Sequence, residues 1–140
     1  DLDYFKEVND TLGHAAGDAV LQSVAQVMVD CTRHTDTVAR VGGDEFVIIF
    51  EGVNEPKVLE ALSKRLIRRL EEPVPYGGKL CKISASAGTT LSSWNPAPIE
   101  AAAMLHQADM ALYAAKNGGR NRVESATSIS MQSIKTEASH

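Results

Sequence analysis

Cysteine is scarce in this chain: Cys31 and Cys81 are the two among 140 residues. Both lie in apolar patterns and read as buried small hydrophobes of a reducing compartment, which argues against a disulfide framework. No apolar run reaches the ~18 residues of a candidate membrane span, and no signal-peptide pattern appears. This piece is therefore expected to be soluble and cytoplasmic, with any membrane attachment carried by other domains of a longer protein. A basic stripe is missing too. The formal charge is −4, which argues against a nucleic-acid backbone as partner. The densest basic cluster, Lys64-Arg65 with Arg68-Arg69, follows a helical repeat and reads as a solvated helix face. His34, His106 and His140 show no metal spacing with cysteine or with each other. There is no internal repeat. What remains is ordinary for a soluble globular chain of one domain, with 44% hydrophobic and 23% charged residues.

Local patterns place the elements. Residues 5–12 read as a short helix ended by Gly13. A longer helix is expected from Gly17-Asp18, with Asp18 at its N-terminus and Val20, Val24, Val27, Met28 and Cys31 at helical spacing. Asn54 and Pro56 signal another helix start, with a stripe of Leu59, Leu62, Leu66 and Leu70, and Pro73 and Pro75 stop it. Residues 79–91 alternate in part and read as a strand, or as two with a break at Gly88. A loop with Trp94 follows. Residues 99–117 read as a helix with Leu105, Ala108, Leu112 and Ala115 on one face, ended by Gly118-Gly119. Arg122-Val123 is placed to enter a last short strand. The domain is expected over residues 1–124, and the polar Ser/Thr-rich segment 125–140 reads as a linker or disordered tail. Strands interspersed with helices give an α/β (α+β) fold class.

Between these elements lie the residues with chemistry. Gly42-Gly43-Asp44-Glu45-Phe46 separates two β-branched runs and reads as the tip of a hairpin. The glycines allow positive φ and close approach of a ligand. A turn does not require two adjacent acids, so Asp44 and Glu45 suggest a cation or a proton-transfer role, against the plainer reading of an exposed hairpin charge. Asp1-Leu2-Asp3-Tyr4-Phe5-Lys6 is a second acidic cluster. Hard carboxylate oxygens suit Mg²⁺, which keeps positions for phosphate oxygens, and Lys6 adds a point charge. Taken alone, Asp-x-Asp also fits a solvated helix start. Carboxylates from two elements beside a lysine fit metal-assisted phosphoryl or nucleotidyl transfer.

Four blocks in order resemble the GGDEF family of diguanylate cyclases: residues 1–10; Gly13-His14-Ala15-Ala16-Gly17-Asp18; Arg40-Val41-Gly42-Gly43-Asp44-Glu45-Phe46; and residues 108–116 with Gly119-Arg120-Asn121-Arg122. The resemblance implies an antiparallel-centred sheet flanked by helices, similar to the palm of nucleotide cyclases and polymerases. In that family a helix and a central strand precede the position of Asp1, so the chain reads as a piece of a longer bacterial signalling protein.

The activity implied is condensation of two GTP into cyclic di-GMP with release of pyrophosphate, in a homodimer whose two GTP sites face each other. Asp1, the Leu2 carbonyl, Asp44 and Glu45 match the ligands of Mg²⁺ or Mn²⁺, two per active site, and Glu45 is also placed to take the 3′-hydroxyl proton. Asn9 and Asp18 match the guanine readers. Their donor and acceptor groups suit guanine N1–H and N2–H₂, which adenine lacks; capping is the plainer role of both. Lys6, Lys116, Arg120 and the backbone N–H groups near Tyr4 and Phe5 match the triphosphate contacts, although cations past a helix end also complement its dipole. Arg33 and Asp36 stand where the family has its inhibitory product site, with Arg65 as the candidate second arginine; as a bare pattern, Arg-x-x-Asp is usually a surface ion pair. A catalytically silent GGDEF module that binds GTP or cyclic di-GMP to regulate an attached domain is the competing reading.

Overall fold

The computed structural model describes residues 1–126. Four helices are seen there: α1 (Phe5–Leu12), α2 (His14–Asp30), α3 (Pro56–Leu70) and α4 (Ala101–Asn117). The strands are β1 (Leu2–Asp3), β2 (Thr37–Gly42), β3 (Glu45–Ile49), β4 (Val74–Tyr76), β5 (Lys79–Cys81), β6 (Ser84–Ala85), β7 (Ala87–Thr89) and β8 (Val123–Ser125). They pair as β1·β6, β2·β3, β4·β5 and β7·β8; the last is parallel and the others are antiparallel. The class is α+β, as expected. The tail expected over residues 125–140 lies outside the described residues from 127 onward; Ser125 ends β8 and Ala126 is buried.

One apolar core joins these pieces. Ala16, Val20, Val24 and Met28 form the inner face of α2 and meet Leu66, Ile67 and Leu70 of α3. Leu2, Cys81, Ile83 and Ala85 bring the strands into the same cluster. Cys81 is buried as expected, while Cys31, just past α2, is only partly so; neither forms a disulfide. No described helix is long and apolar enough to cross a membrane.

Several local expectations need correction. The helix α2 begins at His14, not at Gly17-Asp18, with Gly13 (φ 92°) as its cap residue. Asp18 therefore sits inside the helix and caps nothing. The α3 helix does end before Pro73, at Leu70, but Pro73 and Pro75 also flank and enter a short strand, β4, which tolerates proline because it has a single partner, β5. Gly88 does not break a strand. It lies within β7, where a Cβ would stand 2.0 Å from the Ala108 carbonyl oxygen and 2.3 Å from the Leu112 nitrogen. Only glycine lets β7 cross α4 this closely. The α4 helix starts at Ala101, and its inner side is Ala111 and Ala115, while Leu105 is 48% exposed.

Candidate active site

The signature hairpin and the first strand meet edge to edge. Leu2 N–H donates to the Asp44 carbonyl at 3.1 Å, and Ser86 N–H donates to the Asp1 carbonyl at 2.9 Å. β1 is thus held between β6 and the hairpin tip, which places Asp1 beside Asp44 and Glu45. The tip itself is a tight turn: Gly43 has φ +49°, Arg40 Nε donates to the Gly43 carbonyl at 2.8 Å, and the register shifts between Arg40 and Gly42. Nothing lies within 4 Å of where a Cβ on Gly42 or Gly43 would point, so a ligand can approach this backbone.

The Asp1 carboxylate, 8% exposed, pairs with the Lys116 ammonium at 3.0 Å. Asp1, Asp3, Asp44, Glu45 and Lys116 share one electrostatic neighbourhood. The side chains of Asp44 and Glu45 make no hydrogen bond or ion pair among the described residues. No cluster of three or more His, Cys, Asp or Glu side chains converges on one point there either. The donors that do come together are hard oxygens on two abutting strands, a set that fits a Mg²⁺ ion taking one or two carboxylates and leaving room for phosphate.

In the sequence Asp3 reads only as part of the acidic cluster, and the structure gives it a different place. Its side chain is fully buried (0% exposed). Ser84 Oγ donates to Oδ2 at 2.8 Å, Ser86 Oγ lies at 2.9 and 3.0 Å from the two oxygens, and Asn121 N–H donates at 3.1 Å. Arg120 Nε lies 3.9 Å away. The signal that could have revealed this is Ser84 and Ser86 at alternate strand positions, small hydroxyls able to satisfy a buried acid.

The guanine and phosphate candidates gather around α1 and the ends of its neighbours. The Asn9 side chain packs against α2 where Gly17 leaves space for it. The next residue, Asp18, is exposed and makes no hydrogen bond or ion pair among the described residues. At the start of α1, Tyr4 is left-handed (φ 66°) and no side chain caps the helix. The first-turn N–H groups around Phe5 and Lys6 thus face outward at the positive end of a helix dipole. Lys6 is exposed on that turn. Lys116 lies in the last turn of α4, not past it. Arg120 follows at φ 64°, with its guanidinium 5.9 Å from the centre of the Tyr4 ring.

Away from this cluster, Arg33 and Asp36 form a closed loop. The Asp36 carboxylate, 1% exposed, accepts Arg33 N–H at 2.8 Å, Glu51 N–H at 2.9 Å and the Arg33 guanidinium at 3.4 Å. The Arg33 backbone N–H is the main cause, and the Glu51 N–H a further one, that holds the Asp36 carboxyl below the usual carboxylate range. Arg33 also donates to the Glu51 carbonyl and is 62% exposed. Arg65 is exposed and makes no hydrogen bond or ion pair among the described residues. One turn further on, Arg69 contacts Cys31 Sγ at 3.6 Å and Asp30 at 4.0 Å, which puts it beside the Arg33 loop.

Known proteins share this sequence pattern and fold. The family model described as "Diguanylate cyclase, GGDEF domain" matches residues 1–122. Diguanylate cyclase A of Treponema denticola is 42% identical over 124 residues, which span 88% of this chain and 33% of that protein. The cyclic di-GMP phosphodiesterase PdeR of Escherichia coli is 38% identical over 87% of this chain and 18% of its own length. The chain thus spans a third or less of these curated relatives. Among solved structures, the GGDEF domain of DgcB from Caulobacter crescentus, in complex with cyclic di-GMP, superposes with a TM-score of 0.80 at 31% identity, over 91% of this chain and 74% of that one. The order of the blocks and the palm-like fold agree with these matches, and the chain belongs to the GGDEF family.

Proposed function

We propose that this chain is the catalytic domain of a diguanylate cyclase that converts two GTP into cyclic di-GMP. The observation that carries the reading is the Leu2–Asp44 backbone hydrogen bond, which brings Asp1 to the Asp44-Glu45 tip. In each half-reaction a ribose 3′-oxygen bonds to the α-phosphorus of the other GTP, the bond to the bridging oxygen breaks, and pyrophosphate leaves. Glu45 takes the hydroxyl proton. Asn9 and Asp18 read guanine; Gly17 makes room for the first, and the second is free of any capping duty. Lys6, Lys116, Arg120 and the amides near Tyr4 and Phe5 hold the triphosphate. Mg²⁺ or Mn²⁺, two per site, held by Asp1, the Leu2 carbonyl, Asp44 and Glu45, would stabilise charge on the attacking and leaving oxygens.

Since each GTP supplies the nucleophile for the other, turnover requires two domains face to face. The reading therefore includes a homodimer. The Arg33–Asp36 loop binds the product and restrains the enzyme, with Arg65 as the assigned second arginine and Arg69 as its neighbour. The domain acts in the cytoplasm. Formation of cyclic di-GMP from GTP and Mg²⁺ by the full-length protein, measured by chromatography, tests the reading.

A silent regulatory module is the second reading. PdeR, similar over most of this chain, is named for a phosphodiesterase, and the acids here do not converge as a preformed cluster. Binding of GTP or cyclic di-GMP without turnover would favour it.

A further inference from the structure

The acids of β1 and the cations at the end of α4 share a spacing. Asp1 and Asp3 are two apart on a strand and so lie on one face, about 7 Å from each other. Lys116 and Arg120 are four apart and bracket the C-terminus of α4. The pairs match: Lys116 on Asp1 at 3.0 Å, Arg120 near Asp3 at 3.9 Å. The first pair is open to solvent on the lysine side. The second rests on a carboxylate with no exposure.

The segment carrying Arg120 is strained. Arg120 and Asn121 are consecutive non-glycine residues in the left-handed region, at φ 64° and 49°. Such residues persist only where their surroundings over-determine them. Here the Arg120 N–H donates to the Ala115 carbonyl at 3.0 Å, the Asn121 N–H donates to Asp3 Oδ2, and the guanidinium lies over Tyr4. Ser84 and Ser86 fix the carboxylate from the strand side.

We propose that Asp3 is a positioning residue for the triphosphate: it holds the Arg120-Asn121 turn at a fixed distance from the Asp1 end of β1, so that Arg120 meets the phosphates while the carboxylates face the reacting centre. This rests on the cyclase reading for its role in turnover, but its effect on nucleotide affinity is separable.

The test is a double-mutant cycle in the full-length protein with Asp3→Asn and Arg120→Ala. It reads calorimetric affinity for a GTP analogue with a methylene bridge between the α- and β-phosphorus, together with KM and kcat. Asp3→Asn is expected to weaken binding roughly tenfold, the scale of one hydrogen bond to a charged group, and to raise KM with little change in kcat. In the Arg120→Ala background the same substitution should cost nothing further, because the group it positions is gone. Fully additive losses would overturn the proposal, since mere loosening of the fold does not depend on Arg120. Should Asp3→Asn fail to fold, Ser86→Ala, which removes the hydroxyl shared by both carboxylate oxygens, is expected to show a smaller loss with the same cancellation; additivity there overturns the proposal equally. A wild-type protein that binds the analogue but makes no cyclic di-GMP overturns the cyclase reading alone, because the cycle still reads out in affinity.

Discussion

The Asn9 side-chain oxygen occupies the space beside Gly17: a Cβ built on that glycine would stand 1.8 Å from it. Glycine inside a helix ordinarily costs about 1 kcal/mol against alanine. Gly17→Ala should therefore leave thermal stability within a few degrees, the helix gain offsetting the displaced amide. Affinity for GTP should fall roughly tenfold, the scale of one hydrogen bond to the guanine edge. Calorimetry of GTP binding beside a melting curve checks both halves.

Gly88 is a different case. Its missing Cβ faces backbone atoms of α4, which cannot rotate away. Gly88→Ala should destabilise the domain by about 3 kcal/mol, the upper range for overpacking, measurable by denaturant unfolding. A neutral substitution would mean that β7 and α4 do not pack this closely.

The Arg33 loop predicts relief of product inhibition. Arg33→Ala should raise the inhibitory concentration of cyclic di-GMP at least roughly tenfold, the worth of a charge-assisted hydrogen bond, with uninhibited turnover retained. Arg65→Ala and Arg69→Ala, measured alongside, decide which arginine of α3 completes the site. An unchanged inhibition curve for Arg33→Ala removes the site.

Asp36 predicts a pH dependence. Its folded-state carboxyl titrates below the ordinary value, so its contribution to stability is complete above the unfolded value of about 3.9 and is lost as pH falls through the folded one. Asp36→Asn should melt below wild type at neutral pH, and the gap should close only in acid. A gap that varies between pH values of about 5 and 8 would contradict this assignment.

Much of this is legible locally. The bounds of α1 and α3 match their punctuation, Gly13 after Leu12 and Pro56 at the start, because helix ends are set by nearby residues. The hairpin tip is readable for the same reason. Long-range placement is not. The strand β4 hides behind Pro73 and Pro75, which look like breakers unless the strand is known to have one partner. Gly88 reads as an interruption until α4 lies against it. Asp3 carries the same letter as Asp1, and only the return of Ser84, Ser86 and Asn121 from distant parts of the chain encloses one in hydrogen bonds, while the other pairs with Lys116. Arg69 and Arg65 share a helix face, so their order of approach to the Arg33 loop depends on how α3 packs.

The most direct measurement is cyclic di-GMP formation from GTP and Mg²⁺ by the full-length protein, wild type against Asp44→Ala. The Asp44 carbonyl that holds Leu2 is retained in the variant, so the fold should persist. Wild type should accumulate product, and the variant should lose roughly a hundredfold or more in rate, the scale of removing one stabiliser of transition-state charge. Equal rates would contradict the role of Asp44. A wild-type protein that binds nucleotide and forms no product would contradict the cyclase itself.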